Sequence, residues 1–157
     1  MSERKSKEAP LEAVKDREIW IDGFNLIITL EVMLSGSPLF TGMDGAVRDL
    51  AALRGTYRLI PQTTEAVDLM LGTLKEAGAG EIHVLLDEPV SNSGRLKMLI
   101  AERAEQMGMD NLDIRILRDV DRELMTKELV ITSDSVILDN CVSWVNLAAV
   151  CRERNSR

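Results

Sequence analysis

Three aspartates in this chain each end an apolar run, and together they suggest oxygen-ligand chemistry. Asp22 ends Glu18-Ile-Trp-Ile, Asp87 ends Glu81-Ile-His-Val-Leu-Leu, and Asp134 ends Leu129-Val-Ile-Thr-Ser. Open α/β sheets place their ligands beyond the carboxyl ends of parallel strands, where such acids would stand. Carboxylates gathered there hold hard cations such as Mg²⁺ or Mn²⁺, which polarise a phosphate and lower the pKa of an attacking water. Taken singly, each aspartate reads as a cap on the next helix, worth about 1 kcal/mol. Three of them on adjacent strands read as one shared site. Asn25, three residues past Asp22, either orients Asp22, a bound water or a phosphate oxygen, or caps the helix that follows.

These acids need a sheet to carry them. Strands are expected over residues 18–22, 81–87, 113–117, 129–134 and 142–145, separated by helical stretches. That alternation predicts βαβ units and a mainly parallel sheet in a three-layer α/β/α sandwich. The strands ending at Asp22, Asp87 and Asp134 are apolar and belong at the centre, whereas 113–117 and 142–145 alternate and belong at the edges. An order of 3-2-1-4-5 satisfies this and brings all three acids to one edge. Residues 26–34 are apolar almost all round, as a buried helix is. Val67, Met70, Leu71 and Leu74 recur at helical spacing between Pro61 and Gly78. Leu96, Leu99, Ile100 and Met107 mark another helix, Asp119 or Asp121 caps a short turn, and a last helix starts near Leu147.

Composition sets outer limits. The 157 residues predict one domain, residues 17–157, preceded by a flexible charged arm, residues 1–16. Acids outnumber Lys and Arg by 26 to 19, for a net charge of -7. That is awkward for a nucleic-acid binder but suits a site that collects carboxylates around cations. Basic residues gather at both ends, at Arg4, Lys5, Lys7, Lys15 and Arg17 and again at Arg152, Arg154 and Arg157. The one histidine, His83, excludes any site needing two, and it reads as a satisfied core or surface residue. Cys141 and Cys151 lack zinc or disulfide spacing and read as reduced thiols of a cytoplasmic protein. No run reaches the roughly 20 apolar residues of a membrane span.

Further polar residues lie beside the expected edge. Ser91-Asn-Ser93-Gly94 opens the helix after Asp87 and either binds a phosphate through its amides or is a plain cap. Asp44 and Arg48, four apart on a helix, form a surface ion pair or, if that helix borders the site, a ligand and a phosphate contact.

The motifs resemble those of PIN and NYN-like ribonucleases. Ile-Asp22-Gly-Phe-Asn25 resembles their first motif, Leu-Leu-Asp87-Glu88 the acid ending a later strand, and Ile-Thr-Ser-Asp134-Ser their strand-to-helix motif. The run as a whole also resembles a PIN-like family of uncharacterised archaeal proteins. The resemblance implies the three-layer fold and a Mg²⁺- or Mn²⁺-dependent nuclease site at Asp22, Asp87 and Asp134, with RNA or another nucleic acid as partner. Asp139 matches the extra acid of NYN members. Val136 stands where many PIN nucleases carry a fourth acid, and for the mid-chain helical acid of PIN domains the candidates are Asp44 and Asp139, then Glu31 and Glu65.

A metal-dependent phosphodiesterase, a ribonuclease first, is therefore the leading expectation. The alternatives are a non-catalytic module binding RNA, nucleotide or a protein partner, and a phosphohydrolase for small phosphate esters. A homodimer would let basic tails frame the acidic site. No P-loop or Gly-x-Gly-x-x-Gly run supports triphosphate or dinucleotide chemistry.

Overall fold

The computed structural model describes residues 6–35 and 57–155. Its centre is a six-stranded, all-parallel sheet. In chain order the strands are β1 (Glu8–Ala9), β2 (Ile19–Asp22), β3 (Ile82–Asp87), β4 (Leu112–Leu117), β5 (Val130–Ile131) and β6 (Trp144–Val145). They lie side by side as β1-β6-β5-β2-β3-β4. The five strands legible in the sequence thus keep their expected order, and β1 adds a sixth at the β6 edge.

Within the expected flexible arm, residues 1–16, the described residues 8–14 are docked on the sheet and core. Glu8 and Ala9 pair with Trp144 and Val145. A 3₁₀ turn at Leu11–Val14 then drives Val14 wholly into the core. Backbone pairing docks this segment, and backbone pairing leaves no mark on composition. Residues 113–117 do form an edge, whereas residues 142–145 have β1 outside them. The expected strand over residues 129–134 keeps ladder pairing only at Val130–Ile131.

The helices are α1 (Gly23–Leu34), α2 (Pro61–Glu76), α3 (Ser93–Gln106), α4 (Val120–Leu124), α5 (Ser135–Asn140) and α6 (Leu147–Asn155). Side-chain alternation divides them between two faces. Ile19, Ile21, Ile82, Val84 and Leu86 face the larger core, which α1, α2, α3 and α6 close. Leu85 and Val130 point the other way into a smaller core with Val120 and Leu124 from α4, Ile137 from α5 and Cys141 just after it, and with Trp20 and Trp144 at its margin. The result is an α/β/α sandwich with one thick helical layer and one thin one.

Helix α1 leaves β2 without a loop because residue 23 is glycine. A Cβ on Gly23 would lie 2.4 Å from Leu86 Cδ2 and 3.0 Å from the Leu85 carbonyl oxygen. Both neighbours are fully buried on β3 and have nowhere to retreat. Close approach of helix to sheet here is what lets Asp22 end a strand and precede a helix at once.

A second tie holds α1 to α2. Glu31 is buried at 6% exposure and accepts hydrogen bonds from Tyr57 Oη at 2.8 Å and from Thr63 Oγ1. Thr63 Oγ1 in turn accepts from the Ile60 amide at 2.9 Å, closing the start of α2. Burial pushes the Glu31 carboxyl above its ordinary 4.5, and the two hydroxyl donors only partly offset that. About 12 Å of helix separates Glu31 from the start of α1, so it does not supply the fourth acid of the Asp22 edge.

Two stability predictions come from this packing. Gly23→Ala should cost about 1–3 kcal/mol by overpacking, read as a lowered midpoint in denaturant. The raised Glu31 pKa means the folded state binds more protons than the unfolded one as pH rises from 4.5, so stability falls through that window. Glu31→Gln keeps the acceptor oxygen and should remove that slope, as a comparison of urea midpoints at pH 4.5 and pH 7 would show.

Candidate functional site

The chain passes from β2 to β3 and β4 on one side, then crosses to β5 and β6 on the other. The switch in direction opens a crevice between the carboxyl ends of β2 and β5, the usual ligand position in such sheets. Asp22 and Asn25 come to it from β2 and the first turn of α1, and Thr132, Ser133 and Asp134 from the β5–α5 link.

Asp22 is wholly buried. Thr132 Oγ1 donates to Asp22 Oδ2 at 2.9 Å and accepts from the Asp134 amide at 3.1 Å. Asn25 Oδ1 accepts from both the amide and the hydroxyl of Ser133, at 2.9 and 3.0 Å. Asn25 therefore neither caps α1 nor turns its carbonyl outward, but holds the β5–α5 link against α1. The space behind it, lined by Asn25, Thr29, Thr132, Ser133 and Asn146 among others, is only about 10 Å³. That is room for one water at most, so any larger ligand must lie outside the edge.

Asp87 closes β3 at 8% exposure. Asp22 is level with Leu85 in the ladder, which places Asp87 two residues further along the neighbouring strand and on the same face. With parallel strands about 4.8 Å apart and rising about 3.3 Å per residue, the two Cα atoms are roughly 8 Å apart. Asp134 takes the capping role: its Oδ1 accepts from the amides of Val136 and Ile137 at 2.9 and 3.2 Å.

The three aspartates share an edge, but their oxygens do not close into a cage. Among the described residues, the only group of three or more potential ligands with donor atoms within 4.8 Å of one another lies elsewhere. In donor chemistry the edge still fits a hard cation, since Asp22 and Asp87 bring carboxylate oxygens to it.

The remaining expected residues scatter. Asp139 is exposed near the end of α5, and Glu65 is exposed on α2. Ser91, Ser93 and Gly94 lie at the start of α3, as expected. There Asn92 takes a left-handed conformation at φ 65° and donates from Nδ2 to the Tyr57 carbonyl at 2.7 Å. Asp44 and Arg48 lie outside the described residues.

The group with converging donors is Glu18, Glu81 and His83, at the opposite edge of the sheet where β2 and β3 begin. His83 Nε2 lies 2.6 Å from Glu18 Oε2 and 3.6 Å from Glu81 Oε1. Its Nδ1 lies 3.0 Å from Asp113 Oδ2 on β4. The sequence offered only half of this signal. Acids stand just before two strands, but which residues face one another depends on register, which sequence does not print. Thr132 and Ser133 were visible as polar residues before Asp134, but their wiring to Asp22 and Asn25 was not.

Thr132→Val tests the first network. It keeps the shape and removes the hydroxyl that joins Asp22 to the Asp134 amide. The expected loss is about 1–3 kcal/mol of stability, measured by chemical denaturation.

Comparison with known proteins adds lineage. An uncharacterized protein of Methanocaldococcus jannaschii is 33% identical over 138 residues, covering 88% of this chain and 64% of that relative. The chain therefore spans less than two thirds of that relative's length. No solved structure gives a significant match. The family model described as "Domain of unknown function (DUF5616)" matches residues 11–150, a span that contains Asp22, Asp87 and Asp134 as well as Glu18, Glu81 and His83. The chain belongs to the DUF5616 family.

Proposed function

We propose that the protein is a divalent-cation-dependent phosphodiesterase, acting first on RNA, with its site at the carboxyl edge of the sheet. The observation that carries this is a wholly buried Asp22 at the switch point of the fold, with Asp87 on the neighbouring strand β3 and the same face. Burying carboxylates is costly, and a site of function is one reason to keep them. Asp22 and Asp87 would hold Mg²⁺ or Mn²⁺. The cation's contribution there would be to polarise a phosphate oxygen and ease ionisation of the attacking water. Thr132 fixes the Asp22 carboxylate, and the Asn25–Ser133 pair fixes the loop beside it. The start of α3, with Ser93 and Gly94, offers backbone amides for a phosphate beyond Asp87. Likeness to PIN and NYN-like ribonucleases in the Asp22, Asp87 and Asp134 motifs adds to the same reading.

A second reading, a binding module without catalysis, has its own support. Asp134 has its Oδ1 committed to capping α5, and the exposed Val136 stands where a fourth acid would be expected. The cytoplasm suits either reading, since Cys141 and Cys151 are buried free thiols and burial pushes both above the ordinary thiol range, Cys151 to about 11.

The deciding experiment is cleavage of a mixed single-stranded RNA pool with Mn²⁺, wild type beside Asp22→Asn. Loss of at least 100-fold in rate in the variant, and loss on chelation, are expected. Wild-type protein that binds Mn²⁺ but leaves RNA intact would favour the binding module, and protein that does neither would overturn the cation reading as well.

A further inference from the structure

The opposite edge of the sheet carries a different set of donors. His83 is the chain's one histidine, and its side chain is 7% exposed. Its ring stacks on Trp20 at 3.9 Å between centroids and 13° between planes. Nδ1 faces Asp113, which also meets Arg115 Nε at 3.2 Å. The imidazole is thus fixed in plane and in rotation. Nε2 is left aimed at two carboxylates, Glu18 and Glu81, which are 56% and 55% exposed and reachable from solvent. Arg17, next in sequence to Glu18, has its guanidinium turned to Glu128 at 3.1 Å.

We infer that Glu18, Glu81 and His83 Nε2 form a binding site for one borderline divalent cation of the zinc class. Three features of the geometry argue for this. The donor atoms already lie within 4.8 Å of one another. Ligands about 2.1 Å from a shared tetrahedral ion are about 3.4 Å apart, so closing the site takes small movements of two exposed side chains. Asp113 stands in the position of the outer carboxylate that holds a metal-bound histidine by its other nitrogen. The imidazole selects the ion, since nitrogen donors favour zinc over Mg²⁺.

The cation would clip together the starts of three strands. Glu18 precedes β2, Glu81 and His83 belong to the start of β3, and Asp113 sits on β4. Its role is then structural, and it is independent of the function proposed for the carboxyl edge.

A single histidine makes the test direct. In tag-free protein, the long-range ¹H–¹⁵N spectrum of the imidazole reports His83 alone. One equivalent of Zn²⁺ should move the Nε2 resonance and leave Nδ1 hydrogen-bonded, and the same amount of Mg²⁺ should move neither. Zn²⁺ should also raise the thermal midpoint, because it binds only the folded state. Glu81→Gln, an exposed change, should weaken Zn²⁺ binding tenfold or more and abolish the midpoint shift, whereas Asp22→Asn should leave both intact. An Nε2 signal unmoved by excess Zn²⁺ would overturn the site, as would a Glu81→Gln variant with wild-type affinity.

Discussion

A carboxylate held entirely out of water at the end of the central strand is the constraint around which the rest is arranged. Asp22 must be given hydrogen-bond donors, because an uncompensated buried charge costs several kcal/mol. Thr132 supplies one across the strand gap and passes the connection on to the Asp134 amide. To do so, β5 must pair next to β2 in a fixed register, with Trp20 level with Val130 and Ile21 with Ile131. The glycine at 23 is part of the same arrangement, because only a helix pressed close to β3 can begin where the aspartate ends. One polar group thereby sets a strand order, a register and a helix start.

The two edges of the sheet differ in chemistry as well as in position. At the carboxyl edge every candidate donor is oxygen. The amino edge has nitrogen, held between acids from three strands. The thin helical layer explains how this is possible. Helices α4 and α5 cover Leu85 and Val130 but leave the Trp20–His83 stack at the border of the smaller core, where Lys127 Nζ rests 4.4 Å from the Trp20 ring centre. A polar histidine can sit on that face because its partners reach it from the solvent side.

Hydropathy made the large elements legible. Ile19–Asp22 and Ile82–Asp87 read as central strands because both their faces are apolar, and helix α2 read from its four-residue recurrence. What stayed hidden depended on pairing. Strand β1 is two residues long in a charged stretch, and its place comes from backbone bonds to β6 that any sequence could make. Asp134 illustrates a different ambiguity. An aspartate before a helix has the same appearance whether it holds a cation or caps the first turn, and here its Oδ1 does the capping. His83 was read as a satisfied histidine, which it is, yet the identity of its partners required the alignment of three strands. Legible features were thus those encoded in one segment, and illegible ones those requiring two.

The docking of the amino-terminal segment has a consequence for the order of assembly. Lys7 Nζ donates to the Cys141 carbonyl across 134 positions, and Glu8 pairs with Trp144. Central strands can meet earlier, but this edge cannot close until the far end of the domain exists to receive it. On a ribosome Glu8 and Ala9 have no β6 to pair with until everything between is made. Contacts so distant along the chain are closed late and slowly. The β1 edge is therefore completed only after the residues of β6 have been made, although β1 precedes every other strand of the sheet in the chain.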